Sequence, residues 1–432
     1  MNGMFRALAV RNYRLYATGQ LVSNTGTWMA RVTQDWLVYH ILTRDNSFAL
    51  GAVTALQFLP TLLFGMHGGL LADRYPKRRV LVGTQSAMAL LSIVSGVLIA
   101  THVIALWSIS VIVFLFGIAS ALDMPVRQAF VVEMVGRELV QNAVSLNSAT
   151  FNAARLIGPA VAGVLIEAFG TAPSFFLNAA SYLAVIGVLV AMRADELRVA
   201  PRVGRRAGQL REGLRYVAEH PELAIPIALI GLVGTFGLNF PITNALMARG
   251  AFHQNAGGYG LLSTTQAIGA VIGALATARR RRRPRLRLLF GLATVFALFE
   301  GLSGLAPSYL IFAVLLIPIG AAAIAFATSC NSSVQLGAKP AMQGRAMALY
   351  VTVFTGGTPV GSLLVGWLGN VLGPRGTLAV QGLICVVSAV AVAAVYARRL
   401  GWRRPPFTRR RRRGGLTAAE IAEPTLADVS TR

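Results

Sequence analysis

The sequence predicts an all-α membrane protein whose twelve transmembrane helices form two pseudo-symmetric halves of six. Three observations lead to this fold class. The 432 residues are 55% hydrophobic and 13% charged, which is too apolar for a soluble domain. Apolar runs of about 20 residues, the length that crosses a bilayer, recur along the chain. A longer polar segment, 193–222, leaves six of these runs on either side.

The apolar runs give the spans in order, and the first is not a removable leader because eleven more follow it. We place the spans near 16–41, 47–72, 79–101, 104–126, 140–168, 172–192, 223–248, 257–278, 286–305, 308–335, 342–372 and 376–397. This gives four parts: an N-terminal half (1–192), a cytoplasmic linker (193–222), a C-terminal half (223–399) and a basic, disordered cytoplasmic tail (400–432).

The linker carries apolar residues at helical spacing, namely Leu210, Leu214 and Val217. A short segment with this pattern and several arginines is typical of an amphipathic helix that lies on the membrane surface. We therefore expect such a helix between the two halves.

The net charge of +24 follows the membrane topology. With the N-terminus inside, only Arg44, Arg249 and Arg375 of the 40 Lys and Arg residues fall in outer loops, and only Arg31 and Arg155 fall within spans. This is the positive-inside rule, and it predicts a multi-pass protein of a bacterial inner membrane with both termini cytoplasmic. We expect no nucleic-acid partner, and we expect the basic surface to contact anionic lipid head groups.

Several other classes of protein are excluded by missing motifs. The only lysines, Lys77 and Lys339, are not preceded by glycine, so no Walker A loop is present for an ATP-driven pump. Cys330 and Cys385 lie in separate spans, which predicts neither a disulfide nor a metal site. We expect no enzyme and no cofactor, and the proton gradient is the predicted source of energy.

Helix 1 carries a polar stripe made of Asn24, Thr27, Arg31, Gln34 and Asp35. Arg31 and Asp35 are four residues apart and share a helix face. An ionisable group within a span is costly, and it marks either a transport pathway or an ion pair. We predict that Asp35, with Arg31, is the proton-coupling group. The alternative is a static Arg31–Asp35 pair that only anchors the helix.

Two further charges and one broken helix lie within predicted spans. Arg155, in helix 5, can pair with Asp35, receive an anionic substrate or tether two helices. Glu300, in helix 9, either takes part in coupling or extends outward to the membrane surface. In helix 7, Asn239 and Asn244 flank Pro241, which should break the helix and expose backbone polar groups.

Small residues four apart predict close helix packing at matching places in the two halves. Gly65 and Gly69 precede the loop between helices 2 and 3, and Gly269 and Gly273 precede the corresponding loop of the second half. On this alignment Thr277 takes the place of the loop 2–3 carboxylate. Two matching halves suit a transporter that rocks about a site at the membrane midplane.

The loop between helices 2 and 3, Gly69-x-x-x-Asp73-Arg74-x-x-Lys77-Arg78, resembles the signature loop of the major facilitator superfamily. Four other segments resemble its enterobactin-exporter-like and macrolide-efflux-like branch: Asp123-Met-Pro-Val-Arg127-Gln-Ala, Asn152-Ala-Ala-Arg155-Leu-Ile-Gly158-Pro159, Tyr259-Gly-Leu-Leu and Gln343-Gly-Arg345-Ala-Met-Ala-Leu-Tyr350. The likeness covers nearly the whole chain. It implies the major facilitator fold and transport of small molecules by alternating access.

The resemblance also implies a conformational latch on the cytoplasmic side. In such a latch the Asp73 carboxylate lies near the N-terminus of helix 11, where the helix dipole favours a negative charge, and Lys77 pairs with Asp123. These contacts hold the inside closed and break when the halves rock. The alternative is a plain basic loop with one helix-capping acid. The predicted latch residues are Gly69, Asp73, Arg74, Lys77, Arg78, Asp123 and Arg127.

By the same resemblance, helices 1, 7 and 10 line the substrate cavity. The candidate substrate-binding residues are Asn24, Gln34, Trp36, Asn152, Arg155, Phe236, Asn239, Asn244, Asn331 and Gln335. Each of them alone can equally make an interhelical hydrogen bond. A cavity with few charges and many aromatic and amide groups suits large, mostly apolar molecules.

The sequence therefore predicts a monomeric secondary transporter that exports small hydrophobic or amphipathic molecules, such as a drug, siderophore or metabolite, by proton antiport. Two alternatives remain open at this stage. The same fold can run uptake or facilitated diffusion, and a non-transporting membrane scaffold or sensor can use the basic cytoplasmic surface.

Overall fold

Nearly all of the described chain is helical. The computed structural model describes residues 3–136, 138–198, 209–278 and 283–399, so the basic tail lies outside the described residues. Its α-helices are α1 (Arg11–Trp36), α2 (Ser47–Arg74), α3 (Lys77–Ala100), α4 (Leu106–Val135), α5 (Val140–Phe169), α6 (Ala172–Ala191), α7 (Gln209–Glu219), α8 (Pro221–Gly237), α9 (Phe240–Ala245), α10 (Ala256–Ala278), α11 (Leu286–Ser303), α12 (Tyr309–Gly337) and α13 (Pro340–Arg399).

These helices make the predicted twelve membrane passes. Ten described helical stretches are long and apolar enough to cross a membrane, and the last of them, Met342–Ala397, holds two passes. Gly373, with φ of 70°, separates these two passes within α13, and the more polar α1 adds the first pass. The seventh pass consists of α8 and α9, which are interrupted just before Pro241. The fold class predicted from the sequence is confirmed.

Glycines set the closest helix contacts within each half. A Cβ atom on Gly269 or Gly273 would collide with the backbone of α12, so these residues let α10 and α12 pack closely as predicted. In the N-terminal half the predicted position is wrong. A Cβ on Gly65 would meet nothing within 4 Å, whereas Gly68 lies directly against the α4 backbone at Ala121.

The first residues of the helices align the two halves differently from the alignment that the glycine spacing predicted. Helices α2 and α10 begin at Ser47 and Ala256, and α3 and α11 begin at Lys77 and Leu286, with the same interval in both cases. This register places Thr277 opposite Gly68. The prediction that Thr277 takes the place of the loop 2–3 carboxylate is therefore wrong.

The two halves meet at the end of the bundle that carries the loop between α1 and α2, which we call the outer end. Gly51 of α2 faces Gly366 of α13, where an added Cβ would lie 3.1 Å from the opposing Cα. On the other side of the bundle, a Cβ on Gly163 of α5 would lie 3.0 Å from the Cα of Gly257 in α10. These contacts pack backbone against backbone across the halves.

Polar contacts reinforce the outer end. The Ser47 hydroxyl lies 2.6 Å from Asn370 Oδ1 and 2.9 Å from the Gly366 carbonyl oxygen, and it donates to them. The Asn370 amide donates to Asn46 at 3.0 Å, and Arg249 lies 3.6 Å from Asp45. In the described part of the chain, these polar contacts close the outer end of the bundle.

The linker helix α7 packs on the C-terminal half. Val217 is buried, Glu212 forms an ion pair with Arg345 at 2.5 Å, and the Lys339 backbone N–H donates to the Tyr216 hydroxyl at 3.1 Å. Of the predicted apolar face, Leu214 is exposed and the Leu210 side chain lies outside the described part.

We predict that Gly366→Ala prevents closure of the outer end, because its Cβ would lie 2.6 Å from the Ser47 carbonyl oxygen. Overpacking of this kind costs roughly 1–3 kcal/mol. Because the outer end no longer closes, disulfide cross-linking of the Asn46→Cys/Asn370→Cys pair should fall severalfold. The native Cys330 and Cys385 are buried and do not compete in this assay. Gly187→Ala is the matched control, because its Cβ would meet no neighbour. Equal cross-linking in both variants would contradict the role of this contact.

Candidate transport site

Asp35 makes a buried polar contact between the two halves. Its side chain is buried near the end of α1, and the Tyr259 hydroxyl of α10 donates to Asp35 Oδ2 at 3.0 Å. The Trp36 ring stacks on the Tyr259 ring with 6.2 Å between centroids. A carboxylate of one half and a hydroxyl of the other are thus held together in a site without lipid access.

The backbone explains why Asp35 lies at this point. Helix α1 changes to π-type turns at Leu37–Leu42, and the seventh pass does so at Leu246–Ala251. These turns begin two residues after Asp35 and two residues after Asn244, so the two residues are equivalent in the two halves. Such π-type turns often occur at functional sites. One half therefore has a carboxylate where the other half has an amide.

Arg31 does not pair with Asp35. No ion pair within 4.0 Å joins them, and the static pair left open by the sequence is not formed. The Arg31 guanidinium instead lies 5.4 Å from the centroid of the Trp28 ring and 5.8 Å from that of Phe58. Its Nε is buried and has no hydrogen-bond partner in the described structure.

Arg155 of α5 shares an aromatic partner with Arg31. Its guanidinium lies 5.5 Å from the centroid of the Trp28 ring, so this ring contacts two arginines. Within the described part of the chain, Arg155 forms no ion pair, and the possible pairing with Asp35 is not observed. Two cations near the membrane interior are thus held mainly by an aromatic ring.

Glu300 of α11 is buried inside the C-terminal half, with 1% of its surface exposed. The prediction that it extends to the membrane surface is wrong. Neither carboxyl oxygen has a hydrogen-bond partner in the described structure. A Cβ on Gly237 would lie 3.0 Å from Glu300 Oε2, so this glycine leaves room for the carboxyl group. An unpaired carboxylate is costly in such surroundings.

The predicted substrate residues differ in their hydrogen bonding and exposure. Asn152 and Asn239 donate to backbone oxygens of their own helices, at 2.8 Å and 2.7 Å. Asn244 donates to Gln266 at 2.9 Å, and Gln34 donates to Gln57 at 3.4 Å. The others divide by exposure: Trp36 is buried, Asn24, Phe236 and Asn331 are half-buried, and Gln335 is exposed.

The latch pairing implied by the resemblance is not the one observed. Lys77 Nζ lies 2.6 Å from Glu133 Oε1 of α4, so the predicted pairing of Lys77 with Asp123 is wrong. Glu133 lies nearer the C-terminal end of α4 than Asp123, and it is therefore closer to the start of α3. The sequence did contain a signal, because Glu133 is a lone acid in an apolar stretch beside a basic loop.

Asp123 is instead the centre of a network inside the N-terminal half. It pairs with Arg127, one turn along α4, and it accepts hydrogen bonds from Thr84 at 2.7 Å and Gln85 at 2.9 Å. Arg127 also donates to Gln20 of α1. These bonds satisfy a carboxylate that is 3% exposed.

The remaining predicted latch residues are only partly described by the structure. Arg78 donates to the Val190 carbonyl oxygen at 2.8 Å, and the Arg74 side chain is exposed. The Gly69 surroundings and the Asp73 side chain lie outside the described part. Every described hydrogen bond and ion pair of the predicted latch side chains stays within the N-terminal half.

Comparisons with known proteins agree with this architecture. A family model described as transmembrane secretion effector matches residues 3–402. The chain is 26% identical to a staphyloferrin A transporter of Staphylococcus aureus, over 84% of this chain and 91% of that protein. It is also 26% identical to an enterobactin exporter, EntS, of Citrobacter koseri, over 79% of this chain and 82% of that one.

Solved structures show the same fold at low identity. A bacterial homologue of the human lysosomal transporter Spinster, in an inward-facing and unoccupied conformation, aligns with a TM-score of 0.69 at 12% identity, over 92% of this chain and 99% of that one. The nucleoside transporter NupG aligns with a TM-score of 0.66 at 12% identity, over 91% of this chain and all of that one.

We predict that Glu133→Gln lowers stability strongly. It leaves the partly buried Lys77 ammonium without its partner, and breaking a buried pair costs about 3–5 kcal/mol. Thermal unfolding of the purified protein should show this loss. Glu219→Gln is the control, because its pair with Arg215 is exposed and worth roughly 0.2–1 kcal/mol. Equal stability of both variants would show that the Lys77–Glu133 pair is not formed.

Proposed function

Because the chain belongs to the transmembrane secretion effector family of the major facilitator superfamily, we propose that it exports a small hydrophobic or amphipathic molecule by proton antiport. The chain is a secondary transporter with a small-molecule substrate, and it is not an enzyme. It is a multi-pass membrane protein. The observation that carries the proposal is the buried Asp35 carboxyl group, bonded by Tyr259 of the opposite half.

Export of a siderophore is favoured among the three substrate classes, ahead of a drug or another metabolite. One relative is named as an enterobactin exporter and another as a staphyloferrin A transporter. Arg155 adds a cation beside the Trp28 ring, which suits an amphipathic molecule that carries acidic or aromatic groups.

Proton coupling rests on competition between a proton and the Tyr259 hydroxyl for the Asp35 carboxylate. The ionised Asp35 accepts a strong hydrogen bond from Tyr259, and this bond helps to hold the outer end closed. When the outer end is open, a proton from outside binds Asp35 and removes its charge, which allows the halves to close there around a neutral group. The proton then leaves Asp35 to the cytoplasm, and the Tyr259 bond holds the outer end closed until substrate that enters from the cytoplasm breaks it. Protons therefore move inward as substrate moves outward. Arg31, one turn away, contributes to the field at Asp35.

Glu300 is the second carboxyl group proposed to carry protons. It is enclosed by α8 and α13 in the C-terminal half and contacts neither Asp35 nor its partner. A proton on Glu300 removes the cost of an unpaired charge there. Its role is to favour one packing of the C-terminal half over another during rocking.

The predicted latch supplies the closure of the cytoplasmic side in the other conformation. In that state we propose that Asp73, Arg74 and Arg78 face the C-terminal half, while the Lys77–Glu133 and Asp123–Arg127 pairs persist. We propose that the protein works as a monomer in a bacterial inner membrane with both termini cytoplasmic. It uses no cofactor besides the proton gradient, contacts anionic lipids through its basic segments and binds no nucleic acid.

We predict that Asp35→Asn abolishes gradient-driven accumulation in inverted membrane vesicles, to the level seen with an uncoupler. The amide cannot take up a proton, so binding of a proton no longer drives rocking. The probes are a fluorescent amphipathic dye and radiolabelled enterobactin. Glu138→Gln is the control, because this exposed acid lies outside the site.

Accumulation that persists unchanged in Asp35→Asn would overturn the coupling role. Accumulation that ignores the gradient in the unmodified protein would favour facilitated diffusion, and movement of probe out of inverted vesicles would favour uptake. Tyr259→Phe should keep the gradient dependence but transport more slowly, because it removes only the cross-half hydrogen bond.

We predict that Glu300→Gln retains folding and binding of probe but slows gradient-driven transport severalfold. Glutamine preserves the size of the side chain and mimics the protonated form. Thermal unfolding and initial rates in vesicles measure the two effects. A transport rate equal to that of the unmodified protein would remove Glu300 from the coupling scheme and leave Asp35 unaffected.

A further inference from the structure

A small cavity, lined by apolar side chains and a cluster of polar ones, lies inside the N-terminal half. It has a volume of about 30 Å³ and is enclosed by α1, α2, α3, α4 and α6. A single water needs roughly 10–15 Å³ of such space, so the cavity admits one or two water-sized atoms and excludes a whole transport substrate. Its polar lining comes from Arg31, Gln34, Gln57, Ser92, Ser95 and Asn178, with Thr27 at one side.

The cavity contains the Arg31 guanidinium, which forms no ion pair in the described structure, although Asp35 contributes to its electrostatic field. Arg31 has no acidic oxygen within 4.0 Å in the described structure, and no acidic side chain is among the residues that line the cavity. Arg31 Nε is buried and has no hydrogen-bond partner there. Asp35, one turn away on the same helix, is bonded to Tyr259 instead. Isolated charges in a membrane interior are costly unless they are paired.

The neighbouring polar groups offer hydrogen-bond donors. Asn178 Nδ2 donates to Ser92 Oγ at 3.1 Å, so the Ser92 hydroxyl proton remains to be donated elsewhere. Gln57 accepts from Gln34 through Oε1, which leaves its amide N–H groups for a further partner. All of these amides and serines are buried, at 8% exposure or less. A cation beside buried donors, with no carboxylate, is the composition of an anion site.

We infer that this cavity binds a compact monovalent anion, of the halide class, which neutralises Arg31 inside the N-terminal half. The carboxylate group of a small organic acid carries the same charge, and it is the other ligand that the experiment must distinguish from a halide. The site lies beyond the proposed transport cycle, and its existence does not depend on proton antiport. Its occupancy sets the charge one turn from Asp35, which links anion concentration to the coupling site.

The experiment uses the purified full-length protein and measures thermal unfolding at constant ionic strength in sodium gluconate, chloride, bromide or acetate. Chloride and bromide should raise the unfolding temperature in a saturable way, whereas gluconate is too large to enter. Arg31→Gln should weaken the halide response by at least about tenfold in apparent affinity. Arg155→Gln is the matched control, because Arg155 contacts the same Trp28 ring without lining the cavity.

Direct binding of radioactive chloride to the unmodified protein keeps the test valid if Arg31→Gln fails to fold. Saturable binding displaced by bromide supports the halide, and an Arg31-dependent response to acetate alone supports the carboxylate. Absence of chloride binding together with equal unfolding in every salt would overturn the inference and leave water beside Arg31. A failure of vesicle transport without loss of chloride binding would count against the proposed function only.

Discussion

The structure is governed by the lack of hydrogen-bond partners in lipid. A polar side chain within the bundle is costly unless the protein itself satisfies it, and two buried networks are satisfied by neighbours in the same half. Asp123 has Arg127, Thr84 and Gln85, and Asn244 has Gln266. Since these bonds are internal, each half can move as a unit without breaking them.

The bond between Asp35 and Tyr259 differs because its two members belong to different halves. It lies among glycine contacts that carry no charge and no side chain. Rocking of the halves breaks this bond together with the Ser47–Asn370 and Asp45–Arg249 contacts of the outer end, and Asp35 is the buried acid among these groups. The pseudo-symmetric position in the C-terminal half has Asn244, which cannot bind a proton, so the two halves share a backbone pattern and differ in chemistry.

The sequence was sufficient for the fold, because apolar length and charge distribution are determined by the bilayer and need no knowledge of packing. It also identified Asp35 and Glu300 as unusual, since a carboxyl group in an apolar run is visible without a structure. Their partners were not predictable. Tyr259 lies far from Asp35 in sequence, and Glu133 replaces Asp123 as the partner of Lys77 because of its depth along α4. Glycine spacing was equally insufficient, because Gly65 and Gly68 differ only in the face of α2 that they occupy.

The attachment of α7 has a consequence for observing the molecule at work. Glu212 and Tyr216 bind this helix to the corner between α12 and α13 at the end of the bundle opposite the outer end, so it travels with the C-terminal half. At the same end, the start of α3 belongs to the N-terminal half. A spectroscopic label on exposed Glu219 and another on exposed Arg79 would therefore report the angle between the halves directly. The linker helix thus allows the rocking motion to be measured from the aqueous side of the membrane.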